Sequence, residues 1–283
     1  MKYLYSVPDA WYEGCYRDKR SCCSAGRSFS LLHGEPAEEA WLCVHGFRGY
    51  PGELVYPSEQ LHAAGFDVFV PRLPGCGTSG IDFTHTDSKD WLLLVQNAVG
   101  DLKNRYKRLH LLGHSMGTSL VAVIGAPDRN IGKIVYAAPS FENRIFGEAE
   151  KKRMQRLLKV KKREHVPHIS DPSYRLHYEN APCDSPYLGK EYWRWLFFRQ
   201  LLSLDELIKK SMDVVEAYPH ESLLLCPMKD KMVSVPSTEL FLRRTGREEQ
   251  VIRIMNGTHF PFYDSDAEAE KQAIDSVLTF AKK

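Results

Sequence analysis

Short, largely apolar runs recur along this chain, separated by longer stretches with helical spacing, and this alternation limits the folds open to it. Apolar runs lie at 41–45, 66–70, 109–112, 134–137, 223–226 and 251–254. A strand that is apolar at every position is buried on both faces, which points to a mostly parallel sheet with helices packed on each side. The intervening stretches fit. Residues 88–106 place Trp91, Leu94, Val95, Ala98, Val99 and Leu102 on one face, the spacing of an amphipathic helix. Further helices are expected over 53–64, 115–126 and 267–281. The expected class is therefore α/β, a parallel sheet flanked by helices.

The alternation breaks once, between Pro139 and His220, where no clear strand appears. This segment is too long to be a plain connection. It is rich in aromatics, among them Phe141, Phe146, Tyr174, Tyr178, Tyr187, Tyr192, Trp193, Trp195, Phe197 and Phe198. The expected organisation is a core formed by 1–140 and 221–283, with a largely helical cap over 141–220 inserted above the carboxyl edge of the sheet. The cap includes a basic run at 151–163, with Met154, Leu157, Leu158 and Lys161 on one helical stripe. Such a helix can meet an anionic substrate or a lipid surface. The plainer expectation is a solvated helix with a narrow packing stripe.

Totals narrow the function classes. With 43% apolar residues the 283-residue chain can bury a sizeable core, and its net charge of +2 gives no case for nucleic-acid binding. No apolar run approaches the length of a membrane span, and the N-terminus lacks the pattern of a secretory leader. The cysteines number seven, and their spacing suggests neither a disulfide framework nor a zinc site. Cys43 and Cys226 fall inside expected buried strands. These features point to a reducing, cytoplasmic compartment.

The chemistry is concentrated in Gly113-His-Ser-Met-Gly117, a G-x-S-x-G pattern between an expected strand and an expected helix. The tight turn requires glycine on both sides of Ser115, presents its hydroxyl at the sheet edge and places the Met116 N–H at a helix N-terminus. A serine hydroxyl needs a base held against it. His259 lies in the loop after the last expected strand, and Asp230 in the loop after the strand before it. Both stand at carboxyl ends of strands, where sites in open α/β sheets form. His259 is expected as general base and acid, and Asp230 as the group that fixes its tautomer. Asp264 and Asp266 are the competing acids, and Asp266 is better placed to cap the last helix. An oxyanion needs two fixed donors. These are expected from the backbone N–H groups of Met116 and of Phe47, in the loop His45-Gly-Phe-Arg-Gly-Tyr-Pro51. His45 and His114 are read as structural.

Together, His45-Gly46-Phe47, the run at 71–79, Asp90-Trp91, Gly113-His-Ser-Met-Gly117, Asp230 with Val233, and Gly257-Thr-His259 resemble the α/β-hydrolase family over roughly 40–280. The nearest branch resembles the bacterial carboxylesterases and monoacylglycerol lipases. The resemblance implies hydrolysis of carboxylic esters through an acyl-enzyme, no metal or organic cofactor, and a helical cap over an acyl pocket. Two positions depart from the pattern: Cys76 stands where relatives often have histidine, and Thr118 where they often have a second glycine. The expected activity is hydrolysis of small to medium acyl esters, monoacylglycerol-like ones among them. The alternatives are an aminopeptidase or amidase, in which Glu142, Glu148 or Glu150 would receive the substrate amine, a thioesterase, and a ligand-binding protein on a hydrolase scaffold.

Overall fold

A computed structural model of the chain describes residues 2–17, 24–35, 37–142, 146–166, 192 and 194–283. Eight strands form one sheet: β1 (Tyr3–Leu4), β2 (Phe29–Leu31), β3 (Glu39–Val44), β4 (Asp67–Val70), β5 (Arg108–His114), β6 (Ile131–Ala137), β9 (Ser222–Pro227) and β10 (Val251–Ile254). Their spatial order is β1-β2-β4-β3-β5-β6-β9-β10. From β4 to β10 all neighbours are parallel, whereas β1 and β2 run antiparallel at one edge.

The apolar runs are explained by the two faces of this sheet. Along β3, Ala40, Leu42 and Val44 belong to one core cluster, and Trp41 and Cys43 to the other. The same division recurs in β6, with Ile134 and Tyr136 on one side and Val135 and Ala137 on the other. Successive side chains of a strand point to opposite faces, so a sheet covered on both sides needs an apolar residue at every position. The first face is covered by α3 (Ser88–Arg105), α4 (Met116–Gly125), α6 (Phe198–Ala217) and α7 (Ser234–Thr245). The second is covered by α1 (Val55–Ala63) and α8 (Ala267–Lys282). Cys43 and Cys226 are buried within the strands, as expected.

The residues between β6 and β9 form an inserted segment. Its described part holds α5 (Glu148–Leu157), a two-stranded antiparallel sheet of β7 (Arg163–His165) and β8 (Trp195–Phe197), and α6, which packs on α4 and α3. Two details differ from the sequence reading. The basic run is not one helix, because α5 ends at Leu157 and Arg163 opens a strand. A strand pair also occurs where none was expected, since strands of three residues are too short to display a period. Within the run, Lys151 pairs with the buried Asp205 at 2.7 Å and Arg153 with Glu164 at 2.9 Å. Of the expected cap aromatics, Tyr192, Phe197 and Phe198 are buried, while Tyr174, Tyr178, Tyr187 and Trp193 lie outside the described residues.

A four-residue helix, α2 (Gly80–Phe83), follows the loop after β4. That loop is fastened on two sides: the Trp91 indole N–H donates to Pro74 O at 3.1 Å, and the Tyr192 hydroxyl donates to Gly75 O at 2.9 Å. Asp90 completes the capping box of α3 with Asp87. The Asp90-Trp91 pair thus serves the body of the fold. Among the described residues, no helix is long and apolar enough to cross a membrane.

Candidate active site

The sharpest local constraint is the turn from β5 into α4. Ser115 sits there with φ 52° and ψ −119°, a left-handed conformation that strains a residue carrying a side chain. The glycines on either side make the turn possible. A Cβ on Gly113 would lie 2.4 Å from the carbonyl carbon of Gly117, and one on Gly117 would lie 2.1 Å from Val44 O. Both contacts are with backbone, which cannot move aside. The turn is held from inside by Thr118. Its hydroxyl donates to Ser115 O at 2.6 Å and accepts the Ser140 N–H at 2.9 Å. A second glycine at this position would lose both bonds, so the hydroxyl gives Thr118 a structural part to play.

Three loops at carboxyl ends of parallel strands bring the remaining groups to Ser115. His259, past β10, has Nε2 3.0 Å from Ser115 Oγ. Its Nδ1 lies 2.8 Å from Asp230 Oδ2, in the loop past β9. A carboxylate oxygen only accepts, so Nδ1 carries the proton, and the bare Nε2 accepts from the serine hydroxyl. Asp230 also accepts the N–H of Met232 at 2.6 Å and that of Ser234, at the start of α7, at 3.2 Å. Burial alone would raise the Asp230 carboxyl. The adjacent His259 and these hydrogen bonds outweigh it and hold the group well below the usual carboxylate range. The competing acids are used elsewhere: Asp264 accepts the Thr258 N–H, and Asp266 caps α8 by accepting the Ala269 N–H at 3.0 Å.

Phe47 and Met116 line the cavity beside Ser115, Met116 as the first residue of α4. The first turn of a helix leaves its N–H groups without intrahelical partners. The cavity has a volume of about 280 Å³, and its walls include Phe146, Leu204, Ile208, Val233 and Phe260. Apolar surface dominates it. Arg48 ties the loop after β3 to the inserted segment by donating to the carbonyls of Tyr192 and Trp195, each at 3.4 Å.

One residue of this site escaped the sequence reading. Glu53 is buried and accepts the Gly46 N–H at 3.1 Å, and it lies 3.0 Å from His114 Nδ1. In sequence it reads as an acid in the first turn of a helix, an ordinary place for one. A cluster with metal-binding composition, His33, His62 and Asp67, has its candidate ligand atoms within 4.8 Å of one another. It lies at the amino end of β4, on the opposite edge of the sheet from Ser115. Asp67 is already engaged there, by the backbone and ring of His33 and by the Tyr106 hydroxyl.

The model of the alpha/beta hydrolase family matches residues 41–271. The chain belongs to this family. Among relatives of the hydrolase, the thermostable monoacylglycerol lipase of Bacillus sp. (strain H-257) is 25% identical over 249 residues, covering 86% of this chain and 90% of that protein. Solved structures share the fold. One of two metagenome-derived lipolytic enzymes superposes with a TM-score of 0.73 at 17% identity, covering 93% of this chain and 100% of its own. The monoacylglycerol lipase of Paleococcus ferrophilus gives 0.69 at 16% identity, covering 89% and 97%. The expected fold is thus present in the hydrolase, with the parallel sheet, its flanking helices and the inserted segment.

Proposed function

We propose that this hydrolase cleaves carboxylic esters of small to medium acyl chains through a serine acyl-enzyme. The reading is carried by one observation, the unbroken hydrogen-bond chain Asp230–His259–Ser115 at 2.8 and 3.0 Å, opening on an apolar cavity.

Ser115 Oγ attacks the ester carbonyl while His259 Nε2 takes the hydroxyl proton. Asp230 holds the imidazole in the tautomer with Nδ1 protonated and stabilises the imidazolium that forms. The tetrahedral oxyanion is received by the N–H groups of Phe47 and Met116. His259 then delivers the proton to the departing alkoxide, leaving an alcohol and an acyl-Ser115 ester. In the second half a water gives its proton to His259 and its oxygen to the acyl carbon. The carboxylic acid departs as the proton returns to Ser115. The chemistry is supplied by these side chains and backbone groups and calls for no cofactor.

The segment 141–220 acts as the cap, contributing Phe146, Leu204 and Ile208 to the cavity wall. That wall favours an acyl chain over a charged group. The likeness to monoacylglycerol lipases agrees with a monoglyceride-like ester. Of the three acids that could receive a peptide amine, Glu142, Glu148 and Glu150, two are engaged: Glu148 pairs with Lys151 at 3.1 Å and Glu150 accepts the Gly147 N–H at 3.0 Å.

The test is the initial rate on p-nitrophenyl esters of increasing acyl length, with Ser115→Ala in parallel. A rate that peaks at one chain length and vanishes in the variant is expected. Undiminished turnover by a folded Ser115→Ala protein overturns the mechanism.

A further inference from the structure

Behind the Ser115–His259 pair lies a second group of ionisable side chains that the hydrolytic chemistry leaves unused. Glu53 and His114 are both buried, at the inner wall of the cavity around Ser115. One oxygen of Glu53, Oε2, faces His114 Nδ1 at 3.0 Å and also accepts the Gly46 N–H at 3.1 Å. The other ring nitrogen of His114, Nε2, lies 2.8 Å from the backbone carbonyl oxygen of His259. Carboxylate and carbonyl oxygens only accept. With Glu53 ionised, both ring nitrogens of His114 donate, and the ring is an imidazolium paired with Glu53.

The electrostatics agree with the geometry. Burial pulls His114 toward its neutral form, but the hydrogen bond and charge of Glu53 outweigh it and raise the ring above its ordinary value. His259 and Asp230 complete its ionisable surroundings on one side, and His45 on the other. His45 behaves in the opposite way. Its Nε2 accepts the Leu73 N–H at 3.0 Å, so its proton sits on Nδ1, which donates to Gly46 O at 3.0 Å. Burial holds this ring neutral, down to about 4.

Gly46 is thereby pinned through both its N–H and its carbonyl. In a trans peptide the carbonyl of one residue and the N–H of the next lie antiparallel in one plane. Fixing the Gly46 carbonyl therefore aims the Phe47 N–H. The grip of Glu53 on the Gly46 N–H fixes the preceding plane, and His114 carries that grip across to the loop of His259.

We infer that the Glu53–His114 ion pair is a positioning device that locks the Phe47 oxyanion donor and the His259 loop to one another. The inference rests on the hydrolytic reading of Ser115. A buried ion pair contributes little net stability compared with well-packed apolar side chains. Its value here is geometric, because Glu53 also accepts the Gly46 N–H and His114 also meets the His259 carbonyl.

The test compares wild type with Glu53→Gln, His114→Asn and His114→Gln. Asparagine retains a donor near the Nδ1 position and glutamine one near the Nε2 position, so each histidine variant keeps a single link. Steady-state kinetics on the best p-nitrophenyl ester separates kcat from KM, near-ultraviolet circular dichroism reports folding, and ¹⁵N NMR of the imidazoles at pH 7.5 reports the protonation of His114. All three variants are expected to lose kcat by roughly 10- to 100-fold, the scale of a misplaced catalytic group, with KM changed less than about twofold. In the wild type the His114 ring is expected to show two protonated nitrogens. In Glu53→Gln it is expected to show one. A bare ring nitrogen in the wild type overturns the inference, and this holds even if every variant fails to fold. Wild-type kcat in a folded Glu53→Gln or in either folded histidine variant also overturns it. A wild type that fails to turn over any ester and fails to react at Ser115 with a fluorophosphonate removes the hydrolytic reading, and the inference falls with it.

Discussion

His259 and Asp230 meet at 2.8 Å although 29 positions separate them, because each stands in the loop beyond one of two adjacent parallel strands, β9 and β10. The contact is thus fixed by the sheet and does not depend on a single flexible loop. Asp230→Asn keeps the size of the side chain but removes the acceptor that sets the tautomer of His259. We expect kcat to fall by about 10⁴-fold with little change in the melting temperature. Ester hydrolysis and a thermal melt of the variant check this. A loss of less than tenfold would reassign the orienting acid.

The elbow glycines give a prediction about folding. Gly117→Ala would set a Cβ 2.1 Å from Val44 O, against backbone of the central strand β3. We expect a loss at or above the ~3 kcal/mol of severe overpacking, read as a lower urea midpoint or as insoluble protein. Gly34→Ala is the control, because nothing lies within 4 Å of a Cβ there, and its midpoint should stay close to wild type.

His45 gives a prediction about pH. Its folded value, about 4, lies below the ~6.5 of an unfolded histidine. Between these values the unfolded chain binds a proton that the folded chain refuses, so stability falls as pH drops from ~6.5 toward 4. The contribution is on the order of 3 kcal/mol across that window. Urea unfolding at several pH values should show a slope steeper by about one proton in the wild type than in His45→Gln. His114 has the opposite sign. Its raised value adds stability that is complete below ~6.5 and is lost as pH climbs through the folded value.

Much of this was legible in the sequence, and the reasons differ by element. The six parallel strands are visible because each is largely apolar, and α3 because its apolar stripe keeps helical spacing. Ser115, His259 and Asp230 stand out because each follows a strand closely, in the chain order of the family. The strands β1 and β2 do not stand out. They are two and three residues long, and Leu4 is exposed while Phe29 is buried, so neither period nor composition marks them. Glu53 is hidden for a different reason. Its importance comes from His114, 61 positions away, and no local pattern encodes a pairing of that span.

The antiparallel edge formed by β1 and β2 has a consequence for how the molecule keeps to itself. Without the first 31 residues, β4 would present a row of open backbone donors and acceptors, a template onto which another copy could add. With them, the sheet terminates in a two-residue strand, too brief for an incoming chain to align on. The aromatic ladder of Tyr5, Tyr3 and Phe29 lies along that border, and Tyr3 donates its hydroxyl to Glu59 of α1 at 2.6 Å. The leading residues thus act as a selvedge, finishing this border of the sheet's fabric.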